Sequence, residues 1–185
     1  HRLDKNTSGL MVVAKNSKSQ KYLVEQLQSH SISREYSAIV YGYMISGGSI
    51  EEPIGRDPKD RVKQAIVSNG KAATTHIRVI DRFKSHTHVK AILETGRTHQ
   101  IRVHLSHMGH SLIGDPMYGG RVRFPKKASE DLKDSLINFK RQALHSKTLT
   151  LIHPVTGEKM TWRSKLPDDM TKLLKVLTEF DSREF

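Results

Sequence analysis

The chain has 185 residues, long enough for one domain with a sizeable core, and is 36% hydrophobic and 27% charged, which is a globular rather than a disordered composition. It has no cysteine, which excludes disulfides and Cys-built zinc sites and agrees with a cytoplasmic protein. Lys and Arg total 31 against 19 Asp and Glu, a formal net charge of +12, so a polyanionic partner is expected, because counterion release rewards contact with phosphates. Nucleic acid suits this charge better than a membrane surface. No long basic amphipathic helix carries Trp or Phe anchors, and no apolar run approaches the roughly twenty residues that cross a bilayer. A soluble protein that is merely basic is the plainer alternative.

The first ten residues, His1 to Leu10, gather two basic side chains (Arg2 and Lys5), one carboxylate (Asp4), two hydroxyls and a glycine. By local signals alone this is an exposed turn leading into a strand. Gly9 to Lys15 is predicted as that strand, buried on both faces because Leu10 to Ala14 are all apolar. Ser17 is the expected N-cap of a helix reaching Ser29, with Tyr22, Leu23 and Leu27 as its apolar stripe. A second strand runs from Ile32 to Tyr41, with Tyr36, Ala38 and Val40 on one face and Ser37, Ile39 and Tyr41 on the other. Gly42 and the Gly47-Gly48 pair are read as turns.

Gly55 to Lys71 holds Arg56, Lys59, Arg61, Lys63 and Lys71 with little hydrophobic periodicity. It is either a solvated loop or a flexible arm that grips RNA phosphates. Alternation over His76–Phe83 and His88–Glu94 predicts an antiparallel hairpin. A turn at Gly96 leads to a short helix, about His99 to Met108, with Ile101 and Leu105 toward the core. Gly109 to Lys127 is a loop with a second basic cluster at Arg121, Arg123, Lys126 and Lys127. Ser129 caps a helix to about Phe139. Leu149–Ile152 and Met160–Arg163 are paired strands, and Asp168 or Asp169 starts a last helix carrying Met170, Leu173, Leu174 and Leu177. Strands and helices interleave, yet several pairs are antiparallel. The expected class is therefore α+β, with a mixed, largely antiparallel central sheet and flanking helices.

His99, His104, His107 and His110 tempt a metal reading, but their spacings of five, three and three do not share one helical face, and no acid is interleaved before Asp115. A metal site is not expected. Gly119-Gly120 lacks the strand and helix context of a nucleotide-binding loop.

HRLDKNTSGL resembles the HRLD-x-x-TSG signature of the RluA-type pseudouridine synthases, which isomerise uridine in RNA. REYSAIVYG (Arg34 to Gly42) is similar to the tyrosine motif of that family. ETGRTHQIRVHLSHMGHSLIGDPMYGG (Glu94 to Gly120) resembles its arginine motif, and ALHSKTLTLIHPVTG (Ala143 to Gly157) its closing strand. GRVRFPKKASEDLKDSLINFKRQALH resembles the RluD branch, which acts on large-subunit (23S) ribosomal RNA. The resemblance covers the whole chain. It implies that residues 1–185 form a catalytic domain lacking its N-terminal part, with upstream strands and any S4-like RNA-binding domain absent.

The resemblance also implies roles. Asp4 is the catalytic carboxylate, and a carboxylate that leaves water needs a nearby cation to stay ionised. Arg102 is that cation, although alone it reads as a surface arginine on an amphipathic helix. Tyr36 stacks on the target base and assists proton removal at carbon five; its plainer reading is a core tyrosine with a satisfied hydroxyl. The target uridine must leave its stem-loop, which costs a few kcal/mol of stacking. Arg2 fills the vacated place, since a guanidinium stacks and binds phosphate. Arg97 and His99 are weaker candidates for phosphate or ribose contacts, and Arg61 and Lys63 for the RNA-gripping arm. No cofactor is implied, because nothing is oxidised. The partner is ribosomal RNA and a monomer is expected. The alternative is a catalytically silent RNA-binding or ribosome-assembly module.

Overall fold

The structure, a computed structural model, describes residues 1–182. Its elements in chain order are β1 (Ser8–Gly9), α1 (Ser17–Gln28), β2 (Ser33–Tyr41), β3 (Gly48–Glu51), β4 (Ile54–Arg56) and β5 (Gln64–Ile66). Then follow β6 (Thr74–Arg82), β7 (His86–Leu93), α2 (Gln100–His107), α3 (Glu130–Asn138), β8 (Leu144–Ile152), β9 (Lys159–Arg163) and α4 (Asp168–Asp181). Seven strands form the main sheet in the order β1-β8-β2-β7-β6-β3, with β9 also on β8. Only β1 and β8 run parallel, so the sheet is mixed and largely antiparallel, as the alternating patterns predicted.

Strand β2 lies at the centre of this sheet, and its alternation divides the core. Tyr36, Ala38 and Val40 face one side, where Ile101 and Leu105 of α2 cover them. Ile39 and Tyr41 face the other, against Leu132 and Leu136 of α3 and Met170, Leu173 and Leu177 of α4. Each fully buried aliphatic side chain of this kind contributes roughly 1.5–3 kcal/mol. The helix predicted from Ser129 forms, and the Ser129 hydroxyl accepts from the Leu132 amide at 3.3 Å.

The structure departs from the sequence reading at four places. The strand expected over Gly9 to Lys15 is two residues long, and Met11 and Val13 are exposed. The cause is competition for one edge. Strand β1 pairs with His145 and Ser146 of β8, whereas β9 takes the same strand from Thr148 onward. The chain beyond Gly9 therefore leaves the sheet, and only Leu10, Val12 and Ala14 rest on the cluster of Leu23, Leu149 and Leu151. Helix α1 starts at Ser17 but is capped by Asn16, whose Oδ1 accepts from the Ser19 amide at 2.8 Å; within it Leu23 is buried and Tyr22 exposed. Gly48 begins an edge strand instead of a turn. Gly55 to Lys71 is not a continuous loop: β4 and β5 form a separate two-stranded hairpin. Three-residue strands are too short to show periodicity. They hold because Ile54 and Ile66 pack with Ala73, Val103 and Tyr118 in a small core of their own.

Gly9 fixes how β1 meets β8. Its φ is +107°, and a Cβ there would lie 2.2 Å from the Ser146 carbonyl oxygen, so a side chain is excluded twice over. Gly9→Ala is expected to lower the unfolding free energy by about 1–3 kcal/mol. Urea unfolding followed by circular dichroism measures this, and an unchanged midpoint would contradict it.

Candidate active site

Asp4 stands in a turn that the rest of the molecule pins. The Thr7 amide donates to the Asp4 carbonyl at 3.0 Å. The amide of Gln142, a residue only 1% exposed, donates to the Lys5 carbonyl at 2.6 Å and to the Thr7 hydroxyl at 2.9 Å. Arg141 donates to the Asn6 carbonyl at 3.4 Å while its fork grips Asp169 at the start of α4. Strand β1 then fastens the turn to the sheet, and Ser8 Oγ meets His145 Nδ1 at 2.9 Å.

Arg102 reaches Asp4 from α2, across 98 positions of sequence; its Nη1 donates to Asp4 Oδ2 at 3.3 Å. The predicted ion pair therefore forms. Arg102 also carries a second acid that the sequence did not assign. Its Nε and Nη2 donate to the two oxygens of Asp115 at 2.8 and 3.0 Å, a bidentate grip on a carboxylate with no exposed side-chain surface. Asp115 is held in turn by the amides of Met117 and Tyr118, at 2.9 and 3.0 Å. Burial alone would raise the Asp115 pKa. The Arg102 hydrogen bonds and these two amides outweigh it and keep the carboxyl below its ordinary range. Burial likewise works against the Arg102 charge, and pairing with Asp115 and Asp4 overcomes it. The Tyr118 ring closes the group, 5.0 Å from the guanidinium carbon.

The turn before α2 is built by Gln100. Its Oε1 accepts from the Arg97 amide and the Thr95 hydroxyl, and its Nε2 donates to the Thr74 carbonyl and the Thr75 hydroxyl. His99 precedes it in the left-handed region, at φ 58°, which costs a non-glycine residue about 1–2 kcal/mol. Its Nδ1 lies 2.8 Å from the Tyr118 hydroxyl, which also accepts from the Gln64 amide of the hairpin. Burial pushes the His99 pKa down, Asp4 opposes this, and Arg102 adds to it. Of the remaining histidines in the 99–110 run, two have partners of their own. His104 meets Thr75 and the Glu52 carbonyl, His110 the Tyr41 carbonyl, and His107 is exposed.

Asp4, Tyr36, Arg2, Arg97 and His99 line one cavity of about 520 Å³. Tyr36 is 6% exposed, and burial raises its pKa while the Arg34 charge and the Ser146 hydroxyl oppose the rise. Arg2 and Arg97 are exposed at the rim, and Arg97 Nε donates to the Ala72 carbonyl at 3.0 Å. Arg61 and Lys63 do not line the cavity; they lie at and beside the β4–β5 turn, where Lys63 approaches Asp60 at 3.6 Å. Sequence reasoning missed Asp115, Tyr118, Gln100 and Gln142. The Gly114-Asp115-Pro116 run does signal an Asp that turns back on its own backbone. Nothing local says which cation it meets.

The RNA pseudouridylate synthase profile matches residues 1–107, and the chain belongs to that family. Among its relatives is the ribosomal large subunit pseudouridine synthase D of Pseudomonas aeruginosa, 55% identical over 97% of this chain and 56% of that protein. The protein of the same description in Escherichia coli K12 is 51% identical over 96% of this chain and 54% of its own length. The chain thus spans about half the length of these curated relatives. The solved structure of human RNA pseudouridylate synthase domain containing 4 superposes with a TM-score of 0.76 at 28% identity, covering 96% of this chain and 74% of that one. Human RNA pseudouridylate synthase domain containing 1, at 23% identity and a TM-score of 0.72, shares the fold.

Removing Asp115 would leave a buried guanidinium half paired. Asp115→Ala is expected to cost about 3–5 kcal/mol of stability. The pH dependence has a definite sign. A carboxyl whose folded pKa is depressed stabilises fully above its unfolded value, near 3.9, and loses that contribution as pH falls through the lower folded value. The unfolding free energy of the parent protein should therefore drop below about pH 4, and Asp115→Asn should lack this share of the acid limb. Chemical denaturation across the acid range reads both.

Proposed function

We propose that this chain isomerises uridine to pseudouridine in large-subunit ribosomal RNA, with residues 1–185 acting as one catalytic domain. The observation that carries the reading is a carboxylate, Asp4, held 3.3 Å from a buried guanidinium at the wall of a cavity that Tyr36 also lines. Relatives at 51–55% identity described as large-subunit pseudouridine synthases support the same substrate. A formal charge of +12 suits an RNA partner.

The reaction balances without an outside reagent. The bond from ribose C1′ to N1 of the base breaks, the base turns, and C1′ joins C5. The proton leaves C5 and N1 gains one, so nothing is oxidised and no cofactor is needed. Asp4 supplies the negative charge, as a nucleophile or as the partner of a sugar carbocation. Arg102 keeps that charge in place, and its own geometry is set by Asp115. Tyr36 stacks on the extruded base. Its phenolate is the form that takes the C5 proton; Arg34 and Ser146 favour that form, whereas burial and Asp4 oppose it. Arg2, at the rim, fills the gap left in the RNA. Arg97 and His99 contact the flanking backbone.

Large-subunit RNA labelled with tritium at uridine C5 should release label to water when the protein is added without metal or nucleotide. Asp4→Asn should abolish release and leave RNA binding within about twofold; a variant that still turns over would falsify the assignment. Arg61 makes no ion pair among the described residues, unlike Lys63. Arg61→Ala should therefore flatten the dependence of log K on log salt by about 0.7–0.9 units, and more than Lys63→Ala does. Equal slopes for all three proteins would remove the hairpin from the RNA interface.

A further inference from the structure

The cavity holds one cation that the reaction scheme does not use as a ligand. Arg34 is 5% exposed and lies two residues before Tyr36 on β2, so the two side chains share a face, about 6.6 Å apart along the strand. Both line the cavity. No carboxylate pairs with Arg34 among the described residues. Its Nη2 donates to the Glu94 carbonyl at 3.2 Å, an oxygen that already lies 2.6 Å from His30 Nδ1. Its Nε is buried without any partner. A buried, always charged group is normally paired, because desolvation without a counter-charge is costly. Arg102, behind Asp4 of the cavity wall, has two acids, and Arg34 has none among the described residues.

The backbone facing Arg34 is fitted to it. Gly96 lies so close that a Cβ would sit 2.6 Å from Arg34 Nη1. The turn that carries Arg97 and His99 thus packs directly against the guanidinium. Arg34 lines the cavity with no acid on it among the described residues, and the N–H donors of a guanidinium suit an oxyanion.

We infer that Arg34, seated against Gly96 and beside Tyr36, is the binding site for one phosphodiester group of the RNA strand next to the extruded uridine. This rests on the proposed RNA substrate and adds a named contact to it. The phosphate supplies the missing counter-charge, so the cation is desolvated in advance and neutralised only when RNA is seated. The contact favours a strand whose backbone enters the cavity over one that lies across its rim.

Phosphate-ethylation interference on large-subunit ribosomal RNA tests this without needing turnover. Wild-type protein should reject RNA ethylated at particular phosphates, and Arg34→Gln should lose interference at one of them. The same variant should bind unmodified RNA about tenfold more weakly, the effect of one charge-assisted contact. Its salt slope should be shallower by about 0.7–0.9 units. Identical interference patterns for the two proteins would overturn the assignment. So would unchanged affinity and slope together with a shifted pH profile of tritium release, which would make Arg34 a positioning residue for Tyr36. If Arg34→Gln does not fold, Gly96→Ala displaces Nη1 and should delete the same interference position. A wild-type protein that binds RNA but releases no tritium would defeat the functional reading and leave the interference result standing.

Discussion

Arg102 binds two carboxylates, and the arrangement of the cavity follows from how unequally it shares itself. Asp115 takes the fork, with two bonds of 2.8 and 3.0 Å and no exposed side-chain surface, whereas Asp4 takes one nitrogen at 3.3 Å and keeps 24% of its side chain exposed. The desolvation of an ion inside a protein costs several kcal/mol, and a bidentate, fully hydrogen-bonded partner is what offsets it. Asp115 therefore stabilises Arg102 on α2, and Arg102 in turn presents a fixed positive edge to Asp4. The looser bond leaves Asp4 Oδ1 outside the grip of the guanidinium. A carboxylate that surrendered both oxygens to a guanidinium would have none for a substrate.

Two further devices keep Asp4 in register with that edge. Gln142 and Arg141 hold the carbonyls of its turn, and β1 anchors the turn's far end to β8. The anchoring residues arrive from the chain before β8, so the turn of Asp4 is held only once the first and last thirds of the sequence have met along β8. Asp4 thus rests on long-range packing more than on local conformation. A two-residue strand supplies little pairing of its own.

Much of this was legible in order of increasing distance along the chain. The alternation of Tyr36, Ala38 and Val40 against Ile39 and Tyr41 gave the central strand and its two faces, because period two is a local property. The Asp4–Arg102 pair was legible only through motif resemblance, since 98 intervening residues carry no local signal of contact. The fate of Leu10 to Ala14 was not legible. An apolar run reads as a buried strand whether or not an edge is available, and β9 had already taken it. The β4–β5 hairpin escaped because its core is completed by Val103 and Tyr118 from elsewhere. Asp115 was visible as a turn former, while its role depends on a guanidinium that propensity cannot locate.

The hairpin of β4 and β5 is not part of the main sheet, and the Gln64 amide meets the site through the Tyr118 hydroxyl. Its tip can be lengthened, shortened or recharged without breaking a single pairing that supports Asp4. Under the proposed function, such a division would uncouple which RNA is held from what is done to it. On that proposal, editing the seven residues at the tip of this ribbon would redirect the protein to new loops of RNA, with the Asp4–Arg102 pair left untouched.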